Sequence, residues 1–223
     1  MSRRLGLVTI GQSPRDDIVP GMLRHLPPAV QVLQAGALDG LSKDVVEAMA
    51  PSPGEYVLIT RLADGSAVSL ARRLIVPLLA AAVASLEDQG CEVLAVLCTG
   101  TFPDLPTRRL VIEPERLFHA ACAGAVGRRR LGALIPLPSQ VAQAEARWRE
   151  VGVDAVVVPA SPYGPPEPVV QAAVRLRDAG AEALALDCFG YTEQLRQLVR
   201  QETGRPTMLA NTYLARVLAE LLS

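Results

Sequence analysis

Short apolar runs alternate with longer amphipathic stretches along this chain, the pattern of an α/β protein with largely parallel strands. Residues 5–10 (Leu-Gly-Leu-Val-Thr-Ile) read as a first buried strand. Ser13-Pro14 then reads as a helix start, with Ser13 as N-cap and Pro14 at the first helical position, the helix ending before Pro27-Pro28. Residues 30–34 and 56–60 are further strands, and a long helix from Leu70 to the stop at Gly90 feeds a strand over 93–97. A proline-rich passage, 101–106, is irregular. A helix over 113–126 leads into a second series, with strands near 131–135, 154–158 and 182–187 and helices near 139–150, 167–179 and 192–202. A short strand at 206–209 and a closing helix, 212–222, finish the pattern.

One internal similarity is stronger than its periodicity requires. Residues 86–100 (Leu-Glu-Asp-Gln-Gly-Cys-Glu-Val-Leu-Ala-Val-Leu-Cys-Thr-Gly) align without gaps on 176–190 (Leu-Arg-Asp-Ala-Gly-Ala-Glu-Ala-Leu-Ala-Leu-Asp-Cys-Phe-Gly), with eight of fifteen positions identical. A helix, a glycine stop and a buried strand account for the glycine and the apolar matches. They do not account for a cysteine at the same place in each copy. A duplication explains it, with each half presenting one thiol, Cys98 and Cys188.

Composition narrows the chemistry. Half of the 223 residues are apolar, aromatic residues make up 4%, and the formal charge is −1 with the charges scattered, so no electrostatic footprint for nucleic acid is visible. The longest apolar run, around 74–86, is too short to span a bilayer, and the N-terminus enters a strand at once with no signal-peptide pattern. A cytoplasmic protein without a membrane partner is expected, its four cysteines reduced. No CxxC pair occurs and there are only two histidines, His25 and His119, so no metal site is expected. The sole lysine, Lys43, lies at an exposed helix start, which argues against a Schiff base, and no Gly-x-Gly-x-x-Gly follows a strand. The expected chemistry uses no cofactor.

Ligands of open parallel sheets bind outside the carboxyl ends of the strands, where both Cys98 and Cys188 fall, each read as sitting at a strand-to-helix turn. Gly100 and Gly190 would let the backbone approach a ligand, and amides at a helix start would hold a carboxylate and favour a thiolate. A thiolate and a thiol on opposite faces of one carbon can remove and return a proton without a cofactor. Cys91 and Cys122, in apolar surroundings, read as core. Asp187 reads equally as a helix starter or as a second polar group of the site. Ser13 and Arg15 are placed to orient a substrate carboxylate, Arg15 through its guanidinium fork.

Residues 9–15 (Thr-Ile-Gly-Gln-Ser-Pro-Arg), 186–190 (Leu-Asp-Cys-Phe-Gly) and 209–216 (Leu-Ala-Asn-Thr-Tyr-Leu-Ala-Arg) resemble the AroM family, over essentially the whole chain. That family in turn resembles the aspartate/glutamate racemase superfamily, which includes maleate isomerase and arylmalonate decarboxylase. The resemblance implies an α/β fold of two similar parallel-sheet lobes with the active-site cleft between them: residues 1–112 and 206–223 in the first lobe, and 113–205 in the second. It implies that Cys98 and Cys188 are the two catalytic cysteines and that Thr99, Gly100 and Thr101, with Phe189 and Gly190, contact a carboxylate substrate. Gln12 stands where the racemases usually carry Asp, and Phe189-Gly190 where they carry Thr-His; Asn211 belongs to the closing motif. The expected function is a cofactor-independent racemase or isomerase acting on a small carboxylate-bearing metabolite. A one-thiol lyase or decarboxylase and a non-catalytic anion binder are the alternatives. The superfamily also leaves room for a homodimer.

Overall fold

A computed structural model of the chain describes residues 3–223. They fall into two compact units, residues 3–115 with Ala215–Ser223, and Arg116–Leu214.

The first unit runs β1 (Arg4–Thr9), α1 (Val19–Leu23), β2 (Gln31–Gly36), α2 (Lys43–Glu47), β3 (Val57–Arg61), β4 (Ala67–Ala71), α3 (Arg72–Asp88), β5 (Val93–Val96) and β6 (Leu110–Ile112). Its main sheet has the order β2-β1-β5-β6, with every neighbouring pair parallel. Strands β1 and β5 are buried and apolar, as parallel strands covered on both faces must be. Helix α3 lies on β1 and β2 and buries Ile75, Leu79, Val83 and Leu86, four positions spaced to share one helix face. Each such burial contributes about 1.5–3 kcal/mol.

The second unit continues with α4 (Pro114–Val126), which begins just before the division, then β7 (Leu131–Ile135), a 3₁₀ turn (Pro138–Gln140), α5 (Val141–Glu150), β8 (Ala155–Pro159), α6 (Glu167–Asp178), β9 (Ala183–Leu186), α7 (Glu193–Thr203) and β10 (Thr207–Leu209). Helix α8 (Ala210–Leu222) closes the chain. The second sheet, β10-β9-β7-β8, is again wholly parallel and mirrors the first in connectivity, with β7, β8, β9 and β10 in the places of β1, β2, β5 and β6. The segment 206–214, assigned to the first lobe on sequence grounds, lies in the second unit because β10 is hydrogen-bonded to β9. The first unit resumes only at Ala215.

The duplication extends to atomic packing. Leu5 and Gly6 pair with Val93 and Leu94, while Leu131 and Gly132 pair with Ala183 and Leu184. A Cβ added at Gly6 would meet Leu86, Cys91 and Leu94. One added at Gly132 would meet Leu176, Ala181 and Leu184, the same three positions of the repeat. Arg4 Nη1 donates to the Gln89 carbonyl and Arg130 Nη1 to the Ala179 carbonyl, each at 2.8 Å.

Two expected elements differ, and one strand was not expected. No helix starts at Ser13-Pro14, where the peptide bond is cis; α1 begins at Val19, with Pro20 in its first turn. The Ser13 side chain is engaged elsewhere, as described below. The head of the expected long helix is instead β4, which forms an antiparallel hairpin with β3 around Asp64-Gly65, Gly65 taking φ +86°. Strand β6 lies in a passage with no expected element. Among the described residues no helix is long and apolar enough to cross a membrane.

Candidate active site

Strands β1 and β5 are parallel neighbours, so the segments that follow them leave the same edge of the first sheet. Cys98 lies two residues beyond β5 and is half-buried. The chain bends so that the Gly100 N–H donates to Cys98 Sγ at 3.2 Å. The Tyr56 hydroxyl accepts from the Thr101 N–H (3.1 Å), and Arg72 Nη1 donates to the Thr101 carbonyl (3.0 Å). The Arg72 guanidinium also covers the Tyr56 ring, 4.2 Å from its centroid. Thr101 is thereby held on both sides of its peptide, and Thr99 is buried beside the thiol. Beyond this loop comes β6 rather than a helix. A helix-start field at Cys98 is therefore not present: Pro103 and Pro106 interrupt the backbone that a helix would need. The amide that reaches the sulfur belongs to Gly100.

The second unit repeats the turn. Cys188 lies two residues beyond β9, and the Gly190 N–H points at its Sγ at 3.4 Å. Here α7 does follow, but its N-cap is Thr192, whose side chain accepts from the Leu195 N–H. Asp187 is thus not the helix starter. Asn211, in the first turn of α8, donates to the carbonyls of Phe189 (3.0 Å) and Tyr191 (2.8 Å) and clamps the turn from behind. Tyr191 donates to the Ala160 carbonyl at 2.6 Å, and Tyr163 packs against Gly190, where a Cβ would meet its hydroxyl. Burial pushes the Tyr191 phenol up from its ordinary range, and the neighbouring Cys188, Asp187 and Tyr163 add to the effect.

Asp187 is buried in a network that sequence reasoning missed. His119 Nε2, from α4, lies 2.9 Å from Asp187 Oδ2, and Arg147 Nη2, from α5, lies 3.5 Å from the same oxygen. Trp148 stacks over His119 with centroids 4.0 Å apart. His119 stands 68 residues from Asp187 in sequence, so no local spacing could join them. The available signal was the repeat itself, which puts Leu97 in one copy opposite Asp187 in the other.

The residues after β1 are held within the first unit. Ser13 donates through its hydroxyl to Asp39 Oδ2 (2.6 Å) and through its N–H to Asp39 Oδ1 (2.7 Å). Gln12 Oε1 accepts from the Ala63 N–H at the β3–β4 hairpin. Arg15 is almost fully buried, and its fork grips Asp17, Nε to Oδ1 at 2.8 Å and Nη2 to Oδ2 at 2.9 Å, while Nη1 reaches Thr9 Oγ1. The guanidinium edge expected to meet a substrate carboxylate is occupied by one from the chain. Gln12, Arg15 and Asp17 nevertheless line an open cavity of about 250 Å³ with Arg61 and Gly65. Burial draws the Asp17 carboxyl upward, but hydrogen bonds and charge from Arg15 outweigh it and hold the group below its usual 3.8. Its contribution to stability is present above that value and is lost as pH falls through the lower folded-state value. In Asp17→Asn, acid unfolding followed by circular dichroism is expected to lose part of its pH dependence below about pH 4. An unchanged acid limb would refute the pairing.

The four cysteines are thiols. Cys91 and Cys122 are core residues as expected, and burial pushes both thiols up, Cys122 far out of the physiological range with help from the charge of Asp187. Lys43 opens α2 and is exposed. Among the described residues no group of three or more His, Cys, Asp or Glu is arranged to hold a metal ion.

A family model described as AroM protein matches residues 5–222. No curated protein sequence matches the chain. Among solved structures, the chain is similar to the maleate isomerase Iso of Pseudomonas putida S16, with a TM-score of 0.65, 11% identity, and coverage of 99% of this chain and 92% of that one. It is also similar to the aspartate racemase of Picrophilus torridus (TM-score 0.63, 11% identity, 99% and 94% covered). A third similar structure is an arylmalonate decarboxylase (TM-score 0.60, 15% identity, 98% and 92% covered). At these identities the likeness establishes the fold, which is that of the Asp/Glu racemase-like proteins.

Proposed function

Because the chain belongs to the AroM family and carries the racemase-like fold with a thiol in the same turn of each unit, we propose that it is a racemase- or isomerase-type enzyme acting on a small carboxylate. The observation that carries this reading is the repeated turn, with an amide two residues on directed at each sulfur, Gly100 to Cys98 and Gly190 to Cys188. An N–H donated to sulfur favours the thiolate, and a sulfur that alternates between thiol and thiolate is what proton shuttling requires. In the proposed step one thiolate takes a proton from the substrate carbon and becomes a thiol. The other thiol delivers its proton to the opposite face of that carbon and becomes a thiolate. The charge is conserved and no cofactor enters the balance. Thr99 and the amides around Gly100 and Gly190 are the proposed contacts for the substrate carboxylate. The similar structures include enzymes named as racemase, isomerase and decarboxylase, which supports the reaction class and leaves the substrate to experiment.

The test is solvent deuterium uptake at the carbon of a panel of small chiral and unsaturated carboxylates, with no cofactor added. Uptake is expected with at least one of them and is expected to vanish in the Cys98→Ser/Cys188→Ser double variant. Full exchange in the double variant ends the proposal.

A further inference from the structure

The two turns are alike in sequence, in backbone course and in their N–H to sulfur bonds, but they differ in the residue just before the thiol. In the first unit that residue is Leu97 and in the second it is Asp187, at equivalent positions of the repeat. The Leu97 and Asp187 amides do the same thing, donating to the carbonyls of Val8 and Leu134 on the neighbouring strand, at 2.7 and 2.9 Å. The backbone at this place is therefore conserved between the copies while the side chain has changed from apolar to acidic. A buried carboxylate is costly unless it is held by donors. Asp187 has them in His119 at 2.9 Å and Arg147 at 3.5 Å, both themselves buried.

Resting on the reading that the two thiols are the acid and base of the reaction, we propose that Asp187, clamped by His119 and Arg147, is a positioning residue that makes them unequal: Cys188 rests protonated as the proton donor, and Cys98 rests as the thiolate that accepts the proton. A negative charge one residue away disfavours a second negative charge on the Cys188 sulfur. Leu97 brings no charge to Cys98, whose bond from the Gly100 N–H is also the shorter of the two. The titratable and charged groups near Asp187 include His119 and Cys122 from α4, Arg147 from α5, and Cys188 and Tyr191 from the turn before α7. Burial pushes the Tyr191 phenol and the Cys122 thiol up, and the charge of Asp187 adds to it at both.

The experiment needs no substrate. Wild-type protein is alkylated with iodoacetamide across pH, and the midpoint of each cysteine is read by peptide mass spectrometry. Midpoints report acidity independently of the lower exposure of Cys188. Cys98 is expected to have the lower midpoint; an equal or lower midpoint for Cys188 overturns the inference. In Asp187→Asn the Cys188 midpoint is expected to fall, with its alkylation rate below the midpoint rising about tenfold and Cys98 unmoved. An unmoved Cys188 midpoint also overturns it. His119→Gln separates charge from packing, because it keeps the carboxylate while removing the imidazole. Its Cys188 midpoint is expected to stay within a few tenths of wild type, and a fall as large as in Asp187→Asn would mean that packing sets the acidity. Failure of deuterium exchange with these midpoints intact would remove the proposed reaction and leave the thiol inequality standing. Equal midpoints with exchange intact would do the reverse.

Discussion

Serine in place of either Cys98 or Cys188 is expected to slow substrate proton exchange by about 10²–10⁴-fold, the range over which a positioned acid or base contributes. Serine keeps the size and the hydrogen bond from the glycine two residues on, but its hydroxyl does not ionise near neutrality. It can neither carry the negative charge needed to accept a proton nor give one up readily. The two single variants also separate the mechanisms. A two-thiol racemase or isomerase loses turnover with either substitution. A lyase that uses one thiol as proton donor loses it with Cys188→Ser alone and tolerates Cys98→Ser. Cys91→Ala supplies the control, because Cys91 is core and the repeat already carries Ala181 at the equivalent place. Exchange that survives both single substitutions undiminished would leave the turns without a chemical role.

Truncation of Trp148 to alanine is expected to cost about 3–5 kcal/mol of unfolding free energy, as removal of a large aromatic side chain from a packed core does. Trp148 is fully buried, stacked on His119 and set edge-on to Phe118 with centroids 6.5 Å apart. Its loss opens a cavity beside the His119–Asp187 pair. Substitution by phenylalanine is expected to cost much less, about 1–2 kcal/mol. The indole Nε1 is buried with no hydrogen-bond partner among the described residues, so phenylalanine gives up volume but no bond. Denaturant unfolding followed by circular dichroism measures both changes. A Trp148→Ala loss below about 1 kcal/mol would show that the site can collapse around the gap.

What the sequence revealed follows the range of each interaction. Strands β1, β5, β7 and β9 were legible because a parallel strand covered on both faces must be apolar throughout. Helices α3 and α6 were legible through their repeating buried face. The two Cys-x-Gly turns were found because the duplication displays the same residues twice. The repeat in fact reaches further, to Arg4-Leu5-Gly6 and Arg130-Leu131-Gly132, but three residues do not stand out until both glycines are seen against the same helix and strand positions. The end of β4, Leu70-Ala71, was read as helix because it runs directly into α3, although Asp64-Gly65 marked the hairpin. Ser13-Pro14 matched a helix-capping pair, yet Asp39 binds the serine and the helix begins at Val19. Arg15 was read as a contact for a substrate carboxylate, but a buried guanidinium two residues from an aspartate engages its fork at home. His119, Arg147 and Asp187 meet only through tertiary packing, and no spacing rule joins them.

The stack of Trp148 on His119 has a practical consequence. The chain contains one tryptophan, and its ring lies 4.0 Å from the imidazole that binds Asp187. An imidazole in contact with an indole quenches its emission, so the intrinsic fluorescence of the protein reports whether the packing behind Asp187 is intact. Emission followed through denaturant unfolding, free of labels and substrates, can show when that packing opens.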